Sequence, residues 1–261
     1  MRNIKSLFAV AASIGLLVGS CPSARAELKF TSGFDYSSGK YGGTESTDIL
    51  YIPLTIKNEG VSSLFRLTVP LLTIRGPSGG DIIGIGPDGQ PIRAGNGPRE
   101  TESGLGDVIA AYTYYAYESA ATGTYIDLTG KVKFGTADET KDLGTGENDY
   151  SAQIDFYKTV GNLTWLLTGG YRVYGDPPGV DFDNAFYGSV GGVVKRSRET
   201  SIGIIYDFRE KIQPTSDPLS ELTVYISSKS GKGTRFQWYA LTGFSDASPD
   251  WGIGFTFTVG F

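Results

Sequence analysis

The chain ends in the stretch Trp251–Phe261, which reads WGIGFTFTVGF. Large apolar side chains occupy every second position of it, and Gly or Thr fills the positions between them. A period of two is typical of a β-strand whose two faces meet different surroundings. A strand on a soluble core alternates similarly, but it rarely ends a chain on an apolar aromatic residue. A strand with one face on lipid and the other on a polar lumen accounts for both features.

The same alternation returns throughout the chain from Leu28 onward. It predicts strands near Leu28–Tyr36, Asp48–Lys57, Leu64–Ile74, Asp107–Tyr117, Thr124–Gly135, Tyr150–Val160, Leu163–Gly175, Asn184–Lys195, Thr200–Arg209, Glu221–Ser228, Thr234–Phe244 and Trp251–Phe261. Each stretch is about the length that a tilted strand needs to cross a membrane.

The connections between these strands alternate in length. Gly161-Asn162 is a minimal turn, whereas Arg75–Ser103, Thr136–Asp149 and Glu210–Ser220 are long and fall on the opposite side. Outer-membrane barrels have an even number of strands, short periplasmic turns and longer outward loops, and an even count returns both termini to the periplasm. A sheet edge open to hydrocarbon would leave backbone groups unpaired, so the sheet must close. The sequence therefore predicts an all-β fold: a closed antiparallel transmembrane β-barrel of about 12 strands in the outer membrane of a Gram-negative bacterium.

The first 26 residues have the features of an export signal. Arg2 and Lys5 precede the apolar segment Leu7–Val18, and Ala24 and Ala26 supply the small residues that a signal peptidase recognises. Residues 1–26 are predicted to be a cleaved Sec-type signal peptide, and residues 27–261 a single barrel domain. Cys21 lies in a loose lipoprotein box, but the strand pattern begins directly after Ala26 and leaves no tether for a lipid anchor. Cleavage after Ala26 leaves a mature chain without cysteine.

Charged residues occupy the phase opposite to the apolar one. The predicted lumen-lining residues are Lys29, Asp35, Arg66, Asp127, Lys131, Lys133, Asp155, Arg172, Asp207, Arg209 and Arg235. A Lys or Arg facing lipid at mid-depth costs about 2–4 kcal/mol, which favours the lumen. Two interpretations remain open: the charges pair with one another and plug the interior, or they line a path and set its selectivity. The excess of Lys and Arg suits anionic or polar solutes.

Other residues predicted to face inward would suit an aromatic or weakly apolar solute instead. They are Tyr157, Leu166, Tyr174, Tyr225 and Tyr239. The sequence does not decide between these solutes.

The composition argues against several other classes of function. The chain has no His, so it lacks the usual general base of a hydrolase and a common zinc ligand, and we predict no enzyme, no metal site and no cofactor. A net charge of −5 argues against a nucleic-acid partner. Gly84–Gly89 matches G-x-G-x-x-G, but its Pro87 and the absence of a following helix predict an outward loop. Asp176, Asp181 and Asp183 lack the spacing of a cation site, which favours a solvated acidic loop.

The stretch Ser103-Gly104-Leu105-Gly106-Asp107 leads directly into a predicted strand. Together with the C-terminal aromatic strand, it resembles the transporter-like outer-membrane proteins of the MetA-pathway of phenol degradation family. The resemblance covers most of the mature chain as a strand pattern. It implies passage of small, often aromatic, molecules across the outer membrane. In physical terms, Gly104 and Gly106 permit a tight connection between loop and strand, and Asp107 is expected at the rim of the lumen.

The leading functional hypothesis is a porin-like channel for the passive passage of small solutes, aromatic or anionic ones among them. The alternative is a structural or surface-interaction barrel with a plugged lumen. The predicted partners are outer-membrane lipids and lipopolysaccharide, a small-molecule solute, and the barrel-assembly machinery. Contact with lipid and with that machinery is predicted for the C-terminal strand through Trp251, Phe255, Phe257 and Phe261.

Overall fold

The computed structural model describes residues 27–78, 81–85, 91–94, 97–231 and 233–261. The predicted signal peptide and the site at Ala24 and Ala26 lie outside these residues. The strands in the described ranges are β1 (Glu27–Gly39), β2 (Thr47–Glu59), β3 (Ser63–Pro77), β4 (Asp81–Ile85), β5 (Pro91–Ala94), β6 (Arg99–Leu105), β7 (Val108–Ser119), β8 (Thr124–Phe134), β9 (Asp149–Val160), β10 (Leu163–Val173), β11 (Ala185–Lys195), β12 (Thr200–Arg209), β13 (Leu219–Ser230), β14 (Thr234–Gly243) and β15 (Trp251–Gly260). A short 3-10 helix, Glu139–Lys141, lies between β8 and β9.

A closed barrel is formed by β1–β3 and β7–β15, twelve strands within the described part of the chain. Successive strands of the barrel pair antiparallel, with β3 pairing β7, and β15 closes the barrel on β1, with Trp251 opposite Ser38 and Gly260 opposite Lys29. Closure pairs the backbone groups that an open edge would expose. The predicted all-β closed antiparallel barrel of about 12 strands is confirmed.

The two ends of the barrel differ in their connections. Glu27 and Phe261 lie at one end, which we call the turn end, because the short connections β2–β3, β7–β8, β9–β10, β11–β12 and β13–β14 lie there. The loop end carries the remaining connections, which are longer. This agrees with the predicted alternation of short turns and longer loops.

The segment predicted as the Arg75–Ser103 loop contains additional strands, so that prediction was wrong in part. β4 and β5 form a separate hairpin, and Gly84 and Ile85 of the G-x-G-x-x-G match end β4. β6 pairs with the loop-end half of β3, from Leu71 opposite Leu105 to Pro77 opposite Arg99. The alternation of the barrel strands does not extend through this polar, Gly-rich segment, which is why the pattern missed them.

The Gly-Leu-Gly-Asp motif forms a tight entry into β7, but it connects β7 to a strand, β6, and not to a loop. β6 continues into β7 along the same partner strand, and residues 106–108 face only Val69 and Pro70 of β3. The additional residue is a β-bulge, a feature that redirects a side chain at a strand edge. A Cβ at Gly106 would lie 2.9 Å from Pro70 Cγ, and a Cβ at Gly104 would lie 2.6 Å from Leu143 Cδ1, so a side chain at either position would displace its neighbour.

The outer surface of the barrel is apolar and rich in aromatic residues. Around the seam between β15 and its neighbours, the Phe255 ring lies 4.5 Å from Trp238 and 6.4 Å from Phe34, and Tyr36 lies 5.6 Å from Trp251. Exposed aromatic and aliphatic side chains cover the other strands as well. In the described ranges, no helix is long and apolar enough to span a membrane. An outward apolar band with aromatic girdles is the surface that lipid requires.

The apolar surface predicts a depth-dependent penalty for charge. Ile204 is exposed in the middle of β12, so Ile204→Arg should lower the free energy of unfolding in lipid vesicles by about 2–4 kcal/mol. Val160, exposed at the turn end of β9, is the matched control, and Val160→Arg should cost about 0–1 kcal/mol. Denaturant unfolding of the refolded variants measures both values. Equal costs at the two depths would contradict a lipid-facing exterior.

Candidate functional site: the barrel lumen

The predicted lumen residues all lie on the inward-facing phase of their strands, and each is buried or half-buried. The fold does not bring them into one site. It distributes them over a basic cluster near the turn end, an acidic cluster nearer the loop end and a network along β7–β10. Their contact with a passing solute stays a prediction.

The basic cluster consists of Lys29, Lys57, Arg66 and Arg235, on β1, β2, β3 and β14. Lys57, missed by sequence reasoning, lies directly opposite both Lys29 and Arg66 in the sheet. Its inward phase was the signal that could have identified it. The charges of Arg66, Lys29 and Arg235 all act on the Lys57 ammonium.

The cations of the basic cluster are unequally neutralised. Lys29 Nζ lies 2.8 Å from Glu59 Oε2 and 3.3 Å from Glu27 Oε2. Arg235 Nη1 donates to Ser227 Oγ at 2.9 Å. Among the described residues, no carboxylate lies within salt-bridge distance of Lys57 or Arg235, although both side chains are buried. Unpaired buried charge is costly, so this part of the lumen is electrostatically frustrated.

The acidic cluster consists of Asp35, Asp207 and Glu221. Asp207 and Glu221 face each other across β12 and β13, and Tyr239 donates a hydrogen bond to Asp35 Oδ2. The charge of Arg209 acts on Glu221.

Tyr41, in the β1–β2 loop, is buried close to this cluster. Burial, followed by the charge of Glu221, raises the pKa of its phenol, which therefore stays protonated. Tyr41 also adopts a φ of 48°, a conformation that bulky residues rarely take. Tyr41 is 4% exposed, so the packing of its ring holds the backbone there.

The network along β7–β10 is satisfied by specific partners. Asp155 accepts hydrogen bonds from Gln153 Nε2 at 2.8 and 2.9 Å and from Thr168 Oγ1 at 2.6 Å, and it lies opposite Asp127. Lys131 is half-buried opposite Ser151. The Arg172 guanidinium lies over the Tyr174 and Tyr187 rings, 5.5 and 5.9 Å from their centroids.

Asp107 anchors the β8–β9 loop to the barrel. Its carboxylate accepts hydrogen bonds from Lys133 Nζ and from the backbone N–H groups of Thr136 and Ala137, each at 2.9 Å. Asp107 was expected at the lumen rim, but it is only 2% exposed. The bulge preceding β7 directs it into this buried position.

The anchored loop folds into the lumen. Leu143 packs against Ile49 and Tyr51 of β2 and Leu72 of β3, all of which face inward. Asp138 caps the 3-10 helix of this loop, and hydrogen bonds from Thr140 lower the pKa of the Asp138 carboxyl. The β8–β9 loop therefore narrows the loop end of the barrel.

One wall of the lumen is polar. Thr hydroxyls form cross-strand hydrogen bonds, Thr31 with Thr258 at 2.8 Å and Thr55 with Thr68 at 2.9 Å. Thr31 also lies opposite Thr55, so a row of hydroxyls crosses β15, β1, β2 and β3. This row lies directly beside the basic cluster, because Arg235 is opposite Thr258.

The facing wall is apolar. Its buried side chains, which we call the aromatic wall, are Tyr125, Tyr157, Leu166, Val193, Ile205 and Tyr225, with Tyr239 packed against them. The sequence predicted inward positions for Tyr157, Leu166, Tyr225 and Tyr239 but did not single out Tyr125, Val193 or Ile205. Tyr174, also predicted inward, instead packs at the loop end with Phe182 and Ile212.

Tyr rings lie against the backbone of neighbouring strands. Tyr239 lies opposite Gly254, and Tyr225 lies opposite Gly203. A Cβ at either glycine would overlap the facing ring. Glycine thus permits the rings to lie along the barrel wall rather than across the lumen.

Filling one of these glycine positions should narrow the lumen. Gly254→Ala displaces the Tyr239 ring inward and breaks its hydrogen bond to Asp35, so we expect single-channel conductance to fall by roughly half or more. Gly169→Ala is the matched control, because its Cβ would meet no atom within 4 Å. Unchanged conductance in a folded Gly254→Ala barrel would contradict this position of the Tyr ring.

No cluster of three or more His, Cys, Asp or Glu side chains suited to a metal ion occurs among the residues that the structure describes.

Comparison with known proteins identifies the fold. No family model matches the chain, and no curated protein sequence matches it. Among solved structures, the COG4313 outer membrane channel from Pseudomonas putida F1 is 12% identical, with a TM-score of 0.68 covering 93% of this chain and 97% of that one. The chain folds as an outer-membrane β-barrel. The expected likeness to transporter-like outer-membrane proteins is confirmed at the level of the fold.

Other barrels match less well and differ in function. A KdgM porin in complex with disordered oligogalacturonate has a TM-score of 0.52 at 10% identity, covering 88% of this chain and 99% of that one. The translocator domain of the autotransporter NalP from Neisseria meningitidis has a TM-score of 0.51 at 9% identity, covering 92% and 89%. The same barrel thus occurs in channels, porins and translocators, and function must be argued from the lumen.

Proposed function

We propose that the protein is a narrow outer-membrane channel for the passive passage of small solutes. The observation that carries the proposal is the pair of unlike walls, with Thr hydroxyls and cations on one side and the aromatic wall on the other. A barrel that served only as a structural element would be expected to pair its buried charges, yet Lys57 and Arg235 meet no carboxylate at salt-bridge distance among the described residues. The fold shared with the Pseudomonas putida channel supports this proposal.

The proposal fixes an orientation in the membrane. The turn end, with both termini, faces the periplasm, and the loop end faces outward among lipopolysaccharide. Residues 1–26 direct export and are removed. The solute passes between the polar and aromatic walls, and the eleven predicted lumen residues tune its selectivity. No catalytic step is proposed, because the chain lacks the His base of barrel hydrolases.

Swelling of proteoliposomes tests this function. Vesicles containing the refolded mature chain should swell in small neutral and anionic solutes and fail to swell in trisaccharides, because the inward β8–β9 loop and the aromatic wall narrow the lumen. Vesicles containing heat-unfolded chain are the control. No swelling in any solute, with the folded barrel verified by resistance to protease, would overturn the proposal.

The plugged barrel is the second candidate, and the packing of Leu143 against inward-facing side chains favours it. In that case the same vesicles do not swell, and vesicles that contain a variant lacking residues 139–144 do. Swelling of vesicles that contain the intact protein excludes the plugged barrel.

We also propose that the barrel-assembly machinery recognises the C-terminal strand. Trp251 is exposed, Phe255 and Phe257 are half-buried on the outer face, and Phe261, beyond β15, is 79% exposed. Because Phe261 contributes its backbone N–H to Leu28 but little side-chain packing, Phe261→Ala should refold normally in detergent. In cells it should reach the outer membrane several-fold less, roughly the effect of losing one exposed anchor residue. Phe244→Ala, equally apolar and exposed at the loop end, is the control; equal yields of the two variants would contradict this role.

A further inference from the structure

We infer that the turn-end half of the lumen holds a binding site for the carboxylate of a small organic acid with an apolar body, formed by Lys57, Arg235 and Gln237 beside Tyr225. The inference rests on the proposed function and names the class of solute that the channel takes.

The first observation is the excess of positive charge. Lys57 is 8% exposed, Lys29 and Arg66 lie directly opposite it in the sheet, and the charge of Arg235 also acts on it. Glu59 also acts on Lys57, but its carboxylate is bound to Lys29 at 2.8 Å. Buried cations left without a counter-charge are strongly unfavourable, and an incoming anion relieves that cost.

The second observation is an unused amide. Gln237 is 1% exposed, and neither its Nε2 nor its Oε1 has a hydrogen-bond partner among the described residues. A fully buried polar group without partners is rare, because burial removes its hydrogen bonds to water and nothing replaces them. Gln237 lies opposite Ser227, the residue that Arg235 contacts at 2.9 Å. The Arg235 guanidinium and the Gln237 amide therefore lie side by side, a pair of donors suited to a carboxylate.

The third observation places an apolar surface next to these donors. Tyr225 lies two residues from Ser227 on the inward face of β13, and Arg235 acts on its phenol. Tyr225 also belongs to the aromatic wall, which continues through Ile205, Val193 and Leu166. A ligand whose carboxylate meets Arg235 and Gln237 thus lays its body along the aromatic wall. Inorganic anions would contact only Lys57, Arg235 and Gln237, and not the aromatic wall.

Equilibrium binding to the refolded mature chain in detergent tests the site, with benzoate as the probe. Benzoate should bind saturably and more tightly than acetate, and benzyl alcohol should bind weakly, because it lacks the charge. Lys57→Met and Arg235→Met should each weaken benzoate binding roughly tenfold or more, since each removes a cation that would pair with the benzoate carboxylate. Lys57→Arg should largely restore it. Lys211→Met, in an exposed loop, is the matched charge-removal control.

The folding of the variants does not confound the test. Removing a buried cation that lacks a counter-charge should leave the barrel as stable as the parent or more stable in the absence of benzoate. Benzoate should raise the unfolding temperature of the parent and not that of Lys57→Met. Equal benzoate affinity in the parent and in both Met variants would overturn the site. Acetate binding as tightly as benzoate would overturn the apolar part of it.

Conductance separates this inference from the proposed function. The parent should favour chloride over potassium, and the Lys57→Met, Arg235→Met double variant should lose that preference. If the barrel conducts ions but does not bind benzoate, the carboxylate site is refuted and the proposed channel function stands. If the barrel binds benzoate saturably but does not conduct ions, the channel function is refuted and the carboxylate site stands.

Discussion

Asp107→Ala is expected to release the β8–β9 loop from the lumen and to lower the free energy of unfolding by about 3–5 kcal/mol, the cost of breaking a buried ion pair. Without this carboxylate, the 6%-exposed side chain of Lys133 retains only Asp149, 3.6 Å away, as an ionic partner among the described residues. The backbone N–H groups of Thr136 and Ala137 also lose their acceptor. Because that loop carries Leu143 into the lumen, its release should increase the single-channel current.

Two matched variants isolate the role of the carboxylate. Asp138→Ala removes the neighbouring cap of the 3-10 helix in the same loop, and it should lower stability far less than Asp107→Ala, with no change in conductance. Asp107→Asn keeps an acceptor oxygen and should show an intermediate effect. Denaturant unfolding and channel recordings measure the two effects together. If Asp107→Ala and Asp138→Ala behave alike, Asp107 is not the anchor.

Leu166→Ala is expected to widen the lumen, whereas the same change at the next residue is not. Leu166 is 2% exposed within the aromatic wall, while Leu167 is 56% exposed on the outer face of the same strand. Truncating Leu166 should lower the free energy of unfolding by about 2–5 kcal/mol and leave a cavity on the solute path. Single-channel conductance should therefore rise in Leu166→Ala and stay unchanged in Leu167→Ala.

Leu166→Ala and Leu167→Ala together test which face of β10 points into the lumen. A reversed result, with the larger effect at Leu167, would exchange the inner and outer faces of that strand. A one-residue shift in register moves every side chain to the other face, so the two variants cannot both be neutral if the strand is placed correctly.

The sequence predicted the barrel because its information lies in a local pattern. Alternation along β12 is enough to direct Ile204 outward and Asp207 inward, and no knowledge of neighbouring strands is needed. The end of the chain at Phe261 set the same phase for β15. These local rules gave the strand number and the inward phase of the charged residues.

The partners across the barrel could not be predicted in this way. Whether Lys57 meets a carboxylate depends on the register of β1, β2 and β3, and single-strand alternation contains no register. The contact of Tyr239 with Gly254 has the same origin. Pairing between strands decided which charges were neutralised.

The loops were the least predictable part. Leu143 sits in a connection without periodicity, and nothing local distinguishes it from an exposed loop residue. Its inward position follows from Asp107, whose direction is set by a bulge formed by one additional residue opposite β3. Such features arise from tertiary contacts and are absent from the strand pattern.

Single-channel recording of the refolded mature chain in a planar bilayer tests the central claim most directly. The account predicts discrete conductance steps smaller than those of open 16-stranded porins, a preference for chloride over potassium, and a larger step in Leu166→Ala than in Leu167→Ala. A correctly folded barrel that inserts into the bilayer and shows no conductance, in the parent and in Leu166→Ala alike, would contradict it.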